Sequence, residues 1–212
     1  MLQRLIAILF FLSAVIPICG QQGIGDDSIS QTILSSPQKY ADAVSAKAKS
    51  IEEKLDKQSQ KALDQFKKQE EKIIRKLSKL DSSAAKQLLA TSTARFKELQ
   101  EKLSNPGKLT QYIPQLDSLS TSLDFLQQSE MLSQVKEVKE KLSDAIAKTE
   151  ALKVQLQKAE TIKAFLKERK ELLKQSLEKL GLVKELKRLN KQVYYYAQQL
   201  HEYKAILKDP KK

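Results

Sequence analysis

The chain has 212 residues, 38 Lys or Arg against 26 Asp or Glu, a formal charge of +12, one Cys, one His and no Trp. One cysteine excludes a disulfide framework, and one histidine with one cysteine is too few for the Cys/His cluster of a structural zinc site. Five glycines and five prolines, against an abundance of Leu, Lys, Glu, Gln and Ala, exclude the turn-rich all-β classes and point to long helices.

The first element is Met1–Gly20, MLQRLIAILFFLSAVIPICG. Arg4 supplies a short positive start, an apolar run follows, Pro17 interrupts it, and small Gly20 suits a cleavage position. This is the layout of a secretory signal peptide. The run is shorter than the ~20 residues of a membrane span. An uncleaved anchor and a lipidated Cys19 are the alternatives, and Ile18 before the cysteine argues against the second. Cleavage after Gly20 would remove the only cysteine and place the chain in the periplasm or outside the cell, held by packing alone. Residues 21–35 carry two glycines and no clear period and read as a flexible lead-in.

Ser36 as cap with Pro37 at the first position starts a long helix over 36–104; Ser35 with Gln38 forms the alternative capping box. Val44, Leu55, Phe66, Leu77, Leu88 and Leu99 recur every eleven residues, with Tyr40, Ile51, Ala62, Ile73 and Ala84 beside them. Eleven residues in three turns makes a nearly straight stripe. Asn105-Pro106-Gly107 opens a turn over 105–113. A second long helix is expected over 114–180. Its stripe has a seven-residue line, Met131, Val138, Ala145, Leu152, Ala159, Leu166, Leu173, Leu180. The companion line is Val135, Leu142, Thr149, Leu156, Leu177, interrupted by Lys163 and Lys170, whose stems can be buried while their ammonium groups reach water. The fold class is therefore all-α, expected as a long antiparallel helical hairpin or coiled coil.

Leu180-Gly181-Leu182 breaks the phase. It marks either a kink or a Schellman helix end followed by a third helix over 181–208. A new heptad line follows: Leu182, Leu186, Leu189, Val193, Tyr196, Leu200, Tyr203 and Leu207 form its seam. Tyr194, Tyr195, Gln198 and His201 fall away from that seam. They are the candidate partner-binding face, or else a second packing face. The final residues 209–212, Asp-Pro-Lys-Lys, are a basic tail or the start of a further helix in a longer reading frame. With the stretch QVYYYAQQLHEYKAILKDPKK, the chain resembles uncharacterised exported coiled-coil proteins of Gram-negative bacteria, mainly over its last 50 or so residues, and that resemblance implies no activity.

No phosphate loop, dinucleotide fingerprint, H-E-x-x-H or C-x-x-C is present. Catalytic residues, cofactor and metal ligands are accordingly expected to be none. The expectation is a non-enzymatic exported spacer or adaptor, working with a protein partner or by self-association. The alternatives are a holdase similar to Skp-type chaperones, which share the basic, exported, cysteine-free helical character but have a β-strand body not visible here, and a lysine-mediated binder of anionic polymer or membrane surface. Only 5 of the 38 cations are Arg, which disfavours nucleic acid.

Overall fold

The computed structural model describes residues 26–109, 114–129, 135–179 and 181–208. The expected signal peptide, Met131, Leu180, residues 110–113 of the expected turn and the 209–212 tail lie outside the described residues. The chain divides into two units, Met1–Ser35 and Ser36–Lys212. In the first, residues 26–35 are helical.

The described residues form five α-helices and no strand: α1 Asp26–Ser78, α2 Ser82–Ser104, α3 Pro114–Gln128, α4 Lys136–Lys179 and α5 Val183–Lys208. The all-α class holds. The lead-in differs from expectation. Helix α1 begins at Asp26, so Pro37 stands inside it rather than at its first position. The segment DDSISQTILSS contains neither Gly nor Pro, so nothing in it breaks a helix.

The larger departure is in the first arm. The expected helix over 36–104 breaks at Lys79–Asp81, without glycine or proline. Asp81 is the cause: in an extended conformation its side chain accepts hydrogen bonds from the Ser83 and Ala84 amides at 3.0 and 2.9 Å and caps α2. The Leu80 and Asp81 amides both close back onto the Leu77 carbonyl, at 2.9 and 2.7 Å. The chain reverses here. Ser92 of α2 hydrogen-bonds Glu70 of α1, so the two helices run antiparallel about this turn.

The 105–113 segment does not reverse the chain as expected. Arg95 reaches Glu168, Asp117 pairs with Lys153 at 3.0 Å, and Gln127 bonds Ser143 at 3.0 Å. Partners on α4 fall steadily as the numbers in α2 and α3 rise, so both helices descend along α4 in one direction. A short 3₁₀ turn, Pro106–Lys108, joins α2 toward α3.

Helices α1 and α4 are therefore not the two antiparallel arms of a hairpin. Asp42 pairs with Lys141 at 2.8 Å, Ser45 bonds Asp144 at 2.6 Å, and Glu70 pairs with Arg169. The offset is constant, which means the two helices run parallel. Helix α5 folds back against both: Ser59 and Tyr196 share a hydrogen bond of 2.8 Å, Lys76 pairs with Glu185, and Lys204 pairs with Glu160 at 2.6 Å. The Ser36–Lys212 unit is a bundle of alternating direction. Helices α1 and α4 run one way and α2, α3 and α5 the other, with α3 taking over from α2 against α4 and also touching α5.

Periodicity anticipates the core well. Val44, Leu55, Phe66 and Leu77 of the eleven-residue line are buried on α1. Val138, Ala145, Leu152, Ala159, Leu166 and Leu173 of the seven-residue line are buried on α4. Phe96 and Phe165 meet edge to face at 5.0 Å between ring centres, fastening α2 to α4. Lys170 behaves as its place in the seam requires, its side chain 19% exposed and its ammonium 2.7 Å from Glu171.

Gly181 ends α4. It has φ +67°, its amide bonds the Glu178 carbonyl at 3.2 Å, and the Leu182 amide bonds the Leu177 carbonyl at 2.8 Å. That pair of bonds is a Schellman cap, so α5 is a separate third-arm helix and not a kinked continuation.

Candidate functional site

Helix α5 presents three surfaces. The seam is one. Leu186, Leu189, Val193, Tyr196 and Leu200 are buried, and Leu182, Tyr203 and Leu207 are half-buried at its ends. Tyr196 is fixed hardest. Its hydroxyl bonds Ser59 on α1 and donates at 3.3 Å to the Ala159 carbonyl on α4, so one phenol ties three helices together. Burial pushes that hydroxyl well above its ordinary range, and the Ser59 bond offsets only part of the rise.

The outer face is the second surface. Tyr194 is 71% exposed and Tyr195 61%, and both Gln198 and His201 are exposed. The four residues expected as a partner-binding face are thus all at the surface of the chain. Three of them, Tyr194, Gln198 and His201, share one side of α5. Gln198 donates to Glu202 at 3.3 Å. Tyr195 turns a third of a revolution away, to the edge of the outer face, and also lines the third surface.

That third surface is a groove of about 620 Å³ between α1 and α5, floored by Phe66 and Leu166. Gln58, Gln65 and Gln69 line one wall, and Gln192, Gln199 and Tyr195 line the other. Lys61, Arg188 and Lys191 add three positive charges, and no carboxylate lines it. Sequence reading missed this groove, although the signal was present: Gln58–Gln65 and Gln192–Gln199 each repeat at seven residues on helices that turn out to face one another.

It also missed a buried ionic cluster. The Arg169 and Glu70 side chains are 1% and 2% exposed and form an ion pair, and Ser92 donates to the other Glu70 oxygen at 2.8 Å. Arg169 keeps Nε and Nη1 without a hydrogen-bond partner. The signal was an arginine on the buried side of α4 in a chain with only five arginines among its 38 cations. A second pinned carboxylate, Glu160, receives Lys163 and Lys204. Burial works to raise its pKa, but the two lysine hydrogen bonds outweigh burial and hold it below the usual carboxylate range.

Among the described residues no group of His, Cys, Asp and Glu could hold a metal ion, and no helix is long and apolar enough to cross a membrane. Comparison with family models, with curated proteins and with solved structures finds no match.

Proposed function

We propose that the protein is an exported, non-enzymatic helical adaptor that engages a partner protein through the outer face of α5. The observation that carries this reading is the pair Tyr194 and Tyr195, 71% and 61% exposed on a helix whose other aromatic positions are buried or half-buried. Two adjacent exposed tyrosines bring large apolar area with a polar tip, the composition found at interface anchors. The bundle behind them is tied by the Tyr196 bonds and the Arg169–Glu70 pair. Such a support holds the face in one geometry, as a spacer or adaptor requires. The net charge of +12 steers association toward a partner of negative potential. Export rests on the character of Met1–Gly20, and removal of that segment would leave a charge of +11, since it contains one cation and no acid.

A photoreactive amino acid placed at position 194, in cells producing the full chain, tests this. The adaptor reading requires one discrete cross-linked species whose partner is the same polypeptide in replicate preparations. A ladder of many unrelated polypeptides would instead be the signature of a holdase. A cross-link between two copies of the chain would make the face a self-association surface, and absence of any adduct would remove the reading. N-terminal sequencing of the same material checks export, with Gln21 expected as the first residue.

A further inference from the structure

The reversals at Lys79–Asp81 and at Gly181 fall at one end of the Ser36–Lys212 bundle. Partners on α1 and α4 differ by 99 residues at each paired position, which sets Leu80 level with position 179. The Lys76–Glu185 pair then ties the end of α1 to the start of α5. Apolar side chains stand out from this end. Leu80 is 63% exposed and Val183 49%, each beside its turn. Leu89 and Leu172 are exposed as well, about 10–12 Å back along their helices. Of the exposed large aliphatic side chains among the described residues, Ile206 alone lies elsewhere.

Charge gathers at the same end. Residues 75–86 and 178–191 hold nine cations, seven of them Lys, against Asp81, Glu178 and Glu185. That is a net +6, half of the chain's +12 in two short segments. Two of the three carboxylates are already committed, Asp81 to the cap of α2 and Glu185 to Lys76. The helices that start here do not use the acidic first turn that suits a helix dipole. Helix α2 has no acid there, and α5 has only the paired Glu185 beside Lys184. The cations at these two starts therefore serve something other than helix stability.

The geometry points to this end as a contact for an anionic phospholipid surface. Interfacial segments combine exposed apolar side chains with flanking cations, the apolar groups seated about 5–10 Å into the boundary between headgroups and acyl chains. Lysine is a compact point charge that suits the diffuse charge of lipid headgroups, and each cation near an anionic surface adds to the attraction. A protein partner asks for other features, namely large aromatic or arginine anchors in well-packed pockets. Here the apolar groups are separate aliphatic points, which a fluid bilayer can close around one by one. The site is independent of the adaptor reading, because Tyr194 lies about 17 Å farther along α5 than Val183.

The test places an environment-sensitive dye on a single cysteine of the purified full chain, in a Cys19→Ser background. The probes are vesicles of equimolar phosphatidylglycerol and phosphatidylcholine, vesicles of phosphatidylcholine alone, and polyglutamate. A dye on Leu80→Cys should brighten and shift to the blue with the anionic vesicles only. A dye on Gln100→Cys, exposed on α2 and about 30 Å from the end, should not change. Lys79→Glu with Lys184→Glu should weaken binding to the anionic vesicles at least tenfold with helicity unchanged. Leu80→Ser with Val183→Ser, both at exposed positions, should also weaken it and abolish no helix. Met1–Gly20 is common to every variant, so these differences belong to the end of the bundle. No dye response at position 80, equal responses at 80 and 100, or undiminished binding in both double variants would overturn the site. An equal blue shift at position 80 with polyglutamate would overturn the lipid assignment in favour of an acidic polypeptide.

Discussion

Single side chains decide how the helices of this bundle find one another. Arg169 and Glu70 are an ion pair taken wholly out of water, and such pairs cost desolvation that their attraction only partly returns. Their contribution is to the choice of neighbour: the pair can form only when α1 and α4 are parallel at one offset. Arg169→Met should therefore lower stability by about 3–5 kcal/mol, because Glu70 remains buried with only Ser92 to answer it. The double variant Arg169→Met with Glu70→Leu should recover most of that loss, as read from urea unfolding midpoints. A double variant as weak as the single one would mean the site is needed for its charge rather than its fit. The carboxylates of Glu160 and Glu185 add a pH signature. The two lysine hydrogen bonds hold Glu160 low against its burial, and the Lys76 hydrogen bond holds Glu185 low. A carboxylate depressed in the folded state stabilises above its unfolded pKa of about 4.3 and loses that contribution as pH falls through the lower folded value. Thermal melts should thus hold steady from neutral pH to about 5 and fall below about 4. Lys204→Met should make that acid loss smaller by removing one cause of the depression at Glu160.

Helices and their ends carry the next level, and here legibility from sequence was uneven. The buried stripes of α1, α4 and α5 could be read residue by residue, because burial against neighbours imposes a period on the sequence whatever the neighbours are. The Schellman end at Gly181 was legible as one of two alternatives, since glycine is the residue that occupies φ +67° without strain. The reversal at Lys79–Asp81 was not. The eleven-residue line continues in number through Leu77, Leu88 and Leu99 although the chain turns between the first and the second, so periodicity concealed the break. What marks it is one aspartate followed by two serines, a cap signal inside a helix-favouring stretch. Asp81→Ala should cost about 1 kcal/mol through loss of the two amide bonds. Gly181→Ala should cost about 1–2 kcal/mol from the left-handed backbone alone, since open space surrounds the position where a Cβ would stand. Chemical denaturation of both variants checks these values. A neutral Gly181→Ala would show that α4 and α5 can be joined without that conformation.

At the scale of the molecule the decisive point is direction. Two long stripes separated by Asn-Pro-Gly invite an antiparallel hairpin, and nothing in either stripe taken alone contradicts it. The contradiction lies in pairing. An antiparallel hairpin about the 105–113 segment would set residue 45 near residue 174, whereas the parallel arrangement sets Ser45 against Asp144 at 2.6 Å. Positions 144 and 174 on α4 are about 45 Å apart along the helix. The two topologies therefore give opposite answers to one cross-linking experiment. In a Cys19→Ser background, Ser45→Cys with Asp144→Cys should be bridged within one chain by a short bismaleimide, giving a faster-migrating monomer on a denaturing gel. Ser45→Cys with Lys174→Cys should not. The bridged chain should also resist unfolding, because closing a loop of about 100 residues removes denatured-state entropy worth up to ~4.7 kcal/mol. The apolar, cationic end of the bundle depends on this result. Only a bundle in which α1 reverses at Asp81 and α5 folds back at Gly181 brings Leu80 and Val183 to one end. A bridge between 45 and 174 would belong to a simple hairpin, in which Leu80 stands partway along the first arm and Val183 far from it, with no single end to meet a membrane.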